Sequence, residues 1–269
     1  MDVVNPGAAP ILTCNAVSRH FGSLRAVDAV SLQVAPGEVL GIGGPNGAGK
    51  TTFFDVVTGI TAPSGGRIDF MGRDITEAGA DEICHAGIAR TFQLNAAFEH
   101  LTVAENVAVA AQFGRHARRF PGFRLSAASR AAAAEALEFA GLGPKAHLRA
   151  GDLPVLDRKL LMIAGAMATE PRMIFLDEPV GGLNSAEIDL VQELVRRMQA
   201  RGITIVLIEH VMRFLLTLST RVLIMHHGQI IFEGPPDRVA EDETVVETYL
   251  GQGAARRLKR HFAGAPAHA

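Results

Sequence analysis

Eight consecutive residues, Gly44-Pro45-Asn46-Gly47-Ala48-Gly49-Lys50-Thr51, carry the most specific chemical signal in the chain. They fit a glycine-rich loop closed by Lys and a hydroxyl residue, the pattern of a phosphate cradle between a strand and a helix. Glycine lets the backbone wrap a phosphate chain, and successive N–H groups with the helix N-terminus supply partial positive charge. Lys50 is the group expected to reach the β- and γ-phosphates, and the Thr51 hydroxyl is the expected Mg²⁺ ligand. Asn46, Gly47, Ala48, Gly49 and Thr52 complete the expected nucleotide-binding set. An ordinary glycine-rich turn would need neither Lys nor Thr at these places.

A second signal is the pair Asp177-Glu178, which follows the apolar run Met173-Ile174-Phe175-Leu176. Neighbouring residues on a strand face opposite ways. At a strand's C-terminal end, however, both can reach the crevice where open α/β sheets bind ligands. Asp177 suits the Mg²⁺ shell and Glu178 suits the base that polarises an attacking water. Alone, such a pair is equally well a solvated strand end; beside a phosphate loop the chemical reading prevails.

Alternating elements must position these groups. Glu38 to Gly43 reads as a strand entering the loop and Lys50 to Val57 as the helix leaving it. Ile11 to Val17, Ala29 to Val34 and Arg67 to Phe70 read as further strands. Val103 to Ala111 and Ser126 to Ala140 read as alanine-rich helices. Helix Asp157 to Ala168, strand Met173 to Leu176, helix Ser185 to Ala200 and strands Ile203 to Ile208 and Val222 to Met225 then alternate. That order predicts a mostly parallel sheet covered on both faces. The tail from about Gly251, with Arg256, Arg257, Lys259 and Arg260, reads as a disordered basic segment.

Composition narrows the classes. The chain has 269 residues, 48% of them hydrophobic, enough for one large α/β domain or one domain with a small appendage. With 26 Lys plus Arg against 28 Asp plus Glu, it lacks the basic excess of a nucleic-acid coat. Mean hydropathy is +0.20, yet the most apolar stretch, Ile203 to Met225, is broken by Glu209, His210, Arg213 and Arg221. No run approaches the roughly 18–20 apolar residues that cross a bilayer. The N-terminus lacks a basic region before an apolar one, so it is no secretory signal. Cys14 and Cys84 form neither a disulfide framework nor a metal cluster, which fits a reducing cytosol.

From Ile11 to Gly251 the sequence resembles the ATP-binding subunits of ABC transporters, most of all those of branched-chain (hydrophobic) amino-acid importers. The resemblance rests on 44–54, on Gly87-Ile88-Ala89-Arg90-Thr91-Phe92-Gln93, on Leu101-Thr102-Val103-Ala104-Glu105-Asn106-Val107, and on Leu176-Asp177-Glu178-Pro179 with Gly182-Leu183-Asn184. It implies a P-loop NTPase fold over about 11–250, with an antiparallel β subdomain and a helical subdomain at about 94–168. It further implies ATP and Mg²⁺ as ligands. Gln93 becomes the glutamine that touches Mg²⁺ and the attacking water, and His210 the histidine that contacts the γ-phosphate. Phe21 becomes the aromatic that stacks on adenine, against the plainer reading of a core phenylalanine. Asn184 falls where many relatives carry Asp. The implied partners are integral-membrane permease subunits, a second ABC ATPase and, indirectly, a periplasmic solute-binding protein, with no nucleic acid. The implied location is the cytoplasmic face of the inner membrane.

One stretch departs from the family. Where relatives carry a signature like L-S-G-G-Q, this chain has Leu153-Pro154-Val155-Leu156-Asp157. Pro154 has no hydroxyl and no N–H, Val155 and Leu156 add bulk, and Asp157 can cap its own helix and would repel phosphate. A charge-assisted hydrogen bond is worth roughly 1.5–3 kcal/mol, so losing several would disable the contact that this segment makes to the other subunit's ATP. A partner ATPase with an intact signature is therefore expected, with a homodimer of variant geometry as the alternative. The leading expectation is an ATPase that energises import of a hydrophobic amino acid or similar solute. The alternative is a nucleotide-gated structural subunit with little hydrolysis of its own.

Overall fold

A computed structural model describes residues 9–92, 97–114 and 125–263. The chain divides into two compact units, one of Met1–Val57, Thr61–Glu77 and Val206–Ala269, the other of Thr58–Ile60 and Ala78–Ile205.

The first unit opens with β1 (Leu12–Phe21) and β2 (Leu24–Val34), paired antiparallel. These strands are longer than the sequence suggested: Phe21 ends β1 instead of lying in a connecting loop. Leu12, Cys14, Val17, Val30, Leu32 and Val34 are buried, leaving polar neighbours outward, as a sheet with one dry face requires. β3 (Val39–Gly43) is buried at all five positions, an apolar run suited to a strand covered on both faces. α1 (Lys50–Val57) follows, burying Phe53, Phe54, Val56 and Val57. β4 (Gly65–Phe70) and the short β5 (Arg73–Asp74) complete an antiparallel sheet of order β2-β1-β4-β5.

In the second unit, α2 (Ala80–Ala86) leads through Gly87 into β6 (Ile88–Arg90). α3 (Val103–Phe113) starts with a capping box, Thr102 Oγ1 accepting from the Glu105 N–H while Glu105 accepts from the Thr102 N–H. α4 (Ala127–Phe139) is capped by Ser126, and α5 (Val155–Met167) packs with both helices. β7 (Met173–Asp177) is wholly buried and runs parallel to β6. α6 (Ser185–Ala200) turns Val191, Leu194, Val195 and Met198 inward, a helical stripe at three- and four-residue spacing.

β8 (Thr204–Ile208) carries the chain back into the first unit. There α7 (Met212–Leu218) buries Phe214, Leu215, Leu216 and Leu218 and packs on β3. β9 (Arg221–His226) lies parallel to β3, and β10 (Gln229–Gly234) turns back antiparallel to it, so the sheet is mixed at this edge. The chain then makes a short turn of helix, α8 (Glu243–Val245), a π-helical turn Val246–Leu250, and α9 (Gly251–Ala263). The disordered tail expected from Gly251 is thus corrected for 251–263, where the chain is helical. Arg256, Arg257 and Lys259 are exposed on that helix while Ala255 is buried, a periodicity that a count of basic residues conceals.

Candidate functional site

In the first unit, β3 delivers the chain into the loop at Gly44. Gly44 has φ 141°, and a Cβ there would stand 2.2 Å from the Met225 carbonyl oxygen. Gly49 has φ 99°, and its Cβ would stand 2.1 Å from the Ala26 carbonyl oxygen. Only glycine fits either place, so the loop is pressed against β2 and β9 by main chain on both sides. The Gly228 N–H donates to the Ala48 carbonyl at 2.9 Å and fixes the far side. Asn46 and Gly47 remain exposed at the tip.

Lys50, the first residue of α1, is buried, and its Nζ donates to the carbonyls of Gly44 at 2.8 Å and Pro45 at 2.9 Å. A buried ammonium needs such partners. Here they aim it back across the loop from which it starts. Thr51 is exposed and Thr52 half-buried on the first turn of α1. Phe21 is 49% exposed, which excludes the core-phenylalanine reading, and the Arg19 guanidinium carbon lies 4.6 Å from its ring centroid. His210 is exposed, and the buried Glu209 beside it accepts from the N–H groups of His210 at 2.9 Å and Val211 at 3.1 Å. Tyr249 packs behind β3, where a Cβ on Gly43 would stand 3.5 Å from its Cε1. Burial pushes its phenol above the ordinary range, the Gly44 backbone opposes that rise and the Glu209 carboxylate adds to it.

In the second unit, Asp177 ends β7 and is buried. Its Oδ2 accepts from Arg90 Nη2 at 2.9 Å, an ion pair with side chains 6% and 3% exposed, and its N–H donates to Thr91 Oγ1 at 3.2 Å. Arg90 Nη1 also reaches Thr58 Oγ1 at 3.3 Å. Glu178 has φ 47°, a left-handed conformation uncommon for a residue with a side chain and frequent where function dictates geometry. Lys159, buried on α5, donates from Nζ to the Glu178 carbonyl at 2.6 Å, and the Gly181 N–H reaches the same oxygen at 3.3 Å. Sequence spacing pointed to neither Arg90 nor Lys159, because each acts through a partner far along the chain. Gln93 lies outside the described residues. Asn184 caps α6, accepting from the Glu187 N–H at 3.1 Å, so its structural task is plain.

The departing segment is revised in one respect. Pro154, not Asp157, is the N-cap of α5, and no side chain caps that helix. Asp157 sits in the first turn, 4% exposed, and accepts from Lys145 Nζ at 2.5 Å. A buried carboxylate is better served by an ammonium than by a helix terminus alone, so the negative charge at this helix start is compensated within the unit. Val155 stands 43% exposed at the same end.

The loop of the first unit suits a phosphate chain: main chain presses on it at Gly44 and Gly49, and Lys50 supplies a point charge beside it. The Thr51 hydroxyl on this loop and, in the second unit, the Asp177 carboxylate are each of the hard oxygen type that a divalent cation takes. Among the described residues no cluster of three His, Cys, Asp or Glu could hold a metal by itself. No described helix is long and apolar enough to cross a membrane.

Comparisons with known proteins agree with this geometry. The ABC transporter family profile matches residues 27–181. The high-affinity branched-chain amino acid transport ATP-binding protein BraF of Pseudomonas aeruginosa is 34% identical over 251 residues, covering 90% of this chain and 98% of that protein. The corresponding LivG protein of Escherichia coli is 35% identical over the same length and shares. Among solved structures, an ATP-binding cassette of an ABC transporter in its ADP conformation is similar with a TM-score of 0.82 at 32% identity, over 91% of this chain and all of that one. A nucleotide-free ATP-binding cassette is similar with a TM-score of 0.81 at the same identity and coverage of this chain. By its glycine-bound phosphate loop, its acidic strand end and these similarities, the chain belongs to the ABC transporter family and has the fold of an ATP-binding cassette.

Proposed function

We propose that this chain binds ATP with Mg²⁺ and hydrolyses it to drive import of branched-chain or related hydrophobic amino acids through a membrane permease. The observation that carries the reading is the loop 44–51, where two glycines meet main-chain oxygens and Lys50 is folded back over its own turn. Asn46, Gly47, Ala48, Gly49, Lys50 and Thr52 cradle the phosphates, and Phe21 stacks on adenine. Mg²⁺, held by Thr51 and Asp177 with Gln93, would neutralise charge that develops between the β- and γ-phosphates.

Glu178 accepts a proton from the water that attacks the γ-phosphorus. The bond to the β-phosphate oxygen breaks, and ADP and inorganic phosphate leave. His210, at the turn anchored by Glu209, donates to the γ-phosphate. The left-handed backbone at Glu178, held by Lys159, supports a carboxylate aimed by its main chain rather than by a flexible side chain.

A groove of about 320 Å³ in the second unit, lined by Ile60, Ile83, Phe92, Phe98, Val109 and Met162, supports a permease segment as partner. Phe92 and Phe98 are exposed large aromatics there, a surface that needs a cover. The chain then sits on the cytoplasmic face of the inner membrane, and a periplasmic binding protein delivers solute to the permease. The bulky, proline-capped start of α5 supports a second, different ATPase as dimer partner, with a homodimer as the alternative.

The test is Glu178→Gln in the assembled transporter. Retained ATP binding with hydrolysis and uptake lowered at least a hundredfold fits the reading. Unchanged turnover would instead favour a structural subunit. Co-purification with neighbouring transporter subunits identifies the partner ATPase, and strong turnover by this chain alone would refute the need for one.

A further inference from the structure

We infer that the second unit holds a binding site for a free α-amino acid with an apolar side chain, in the groove between α4 and the turn joining α5 to β7. The inference goes beyond the import reading and needs no bound nucleotide.

The groove has a volume of about 470 Å³, inside the range of about 300–1,000 Å³ typical of small-molecule sites. Its floor is apolar, formed by Ala136, Phe139, Met167 and Ile203, all buried. Its rim carries the guanidiniums of Arg172 and Arg201 and the carboxylates of Glu135 and Glu170, all on exposed residues. Two cations and two anions make a rim of both signs with no net charge. A plain anion would meet the carboxylates, and a plain cation the guanidiniums. A zwitterion with an apolar tail answers rim and floor together: carboxylate to guanidinium, ammonium to glutamate, side chain to the floor.

The rim is built on fixed backbone. The Arg172 N–H donates to the Gly87 carbonyl at 2.8 Å, and the Arg172 carbonyl accepts from the Thr204 N–H at 3.1 Å. Glu170 holds φ 56°, left-handed backbone that an L-residue seldom adopts and that recurs at ligand clamps. The Arg201 guanidinium carbon stands 4.1 Å from the Phe139 ring centroid, and that of Arg197 stands 4.5 Å from the same centroid. Such stacking narrows the rotamers of Arg201 and leaves its N–H edge for a carboxylate. The Arg201–Glu135 contact is a single 3.3 Å pair with side chains 46% and 72% exposed. Exposed pairs of this kind are worth little, so a zwitterion can take both partners without a large loss.

The triphosphate chemistry does not account for this assembly of charges. Arg172 immediately precedes β7, and Asp177 ends that strand. Open α/β sheets bind their ligands at the carboxyl ends of the strands, whereas this groove lies at the opposite end.

Calorimetric titration of the full-length chain with L-leucine, without nucleotide, tests the site. Leucine is expected to bind at least about tenfold more tightly than glycine, 4-methylpentanoate or isopentylamine, which lack in turn the side chain, the ammonium and the carboxylate. Arg172→Gln and Glu135→Gln, both at exposed positions, should each weaken leucine binding about tenfold or more while leaving the thermal midpoint within a few degrees. Ala132→Leu, which fills the groove from α4, should abolish binding.

Absence of both heat and thermal shift at about 10 mM leucine overturns the site. Equal binding of 4-methylpentanoate or isopentylamine overturns the zwitterion assignment, and equal binding of glycine overturns the role of the apolar floor. Unchanged leucine affinity in both charge variants overturns the placement in this groove. None of these outcomes touches the nucleotide reading, which Glu178→Gln tests by itself.

Discussion

Gly49→Ala isolates the steric basis of the phosphate loop. The new Cβ would stand 2.1 Å from the Ala26 carbonyl oxygen, far inside the roughly 3.5 Å at which non-bonded atoms meet comfortably. The residue would also have to hold φ 99°, and left-handed backbone costs an L-residue about 1–2 kcal/mol. Overpacking adds about 1–3 kcal/mol. The total, about 2–5 kcal/mol, can be relieved only by moving the loop off β2. Gly202→Ala, in the turn between α6 and β8, is the matched control: φ is 77° and nothing lies within 4 Å of its Cβ. It lies outside the phosphate loop, so stability falls and affinity does not. Titration with a fluorescent ATP analogue, paired with thermal unfolding, separates the two. Gly49→Ala should lose affinity on the order of a hundredfold, about 2.7 kcal/mol. Gly202→Ala should bind within about threefold of wild type and melt a few degrees lower. Equal affinities in the two variants, or wild-type affinity in Gly49→Ala, would refute the reasoning.

Other perturbations follow from the second unit and from the core. Arg90→Met removes the buried ion pair to the Asp177 carboxylate and should cost about 3–5 kcal/mol in urea unfolding; adding Asp177→Asn should restore part of it, and strict additivity of the two would argue against coupling. Lys159→Met should lower kcat about ten- to a hundredfold with KM for ATP little changed, since a small displacement of a catalytic group has that effect, and Lys159→Arg should recover most of it. Burial pushes the Cys14 thiol from 9.0 up to about 12, with Asp69 adding to the rise. Its folded value lies above its unfolded one, so its contribution to stability is complete below pH 9 and is lost as pH rises towards 12. Urea midpoints of wild type should accordingly fall more steeply than those of Cys14→Ala over that window, at up to about 1.4 kcal/mol per pH unit.

How much the sequence disclosed depended on whether the determining interactions are local. The limits of α1 at Lys50–Val57 and of α6 at Ser185–Ala200 were legible because a glycine-rich turn or an Asn cap marks one end and apolar spacing marks the body. β6 was not, being three residues long and a strand only through pairing with β7. β10, an edge strand of half-buried residues, shows no clean alternation and is formed by its turn back along β9. Asp177 was readable as a chemical group, but its partner Arg90 lies 87 residues away and no spacing rule joins them. The same holds for Tyr249, whose seat on β3 is built by strands far earlier in the chain. Asp157 shows the converse: the local rule favoured a cap, and the fold supplied Lys145 instead.

The central claim is that the turn from Gly44 to Thr51 holds a triphosphate through Lys50. The most direct measurement is the dissociation constant of ATP for wild type and for Lys50→Ala, by calorimetry on the full-length chain, with matching circular dichroism to show that both are folded. Loss of a charge-assisted contact to phosphate predicts weakening of at least about tenfold. An unchanged constant in a folded Lys50→Ala protein would contradict the account.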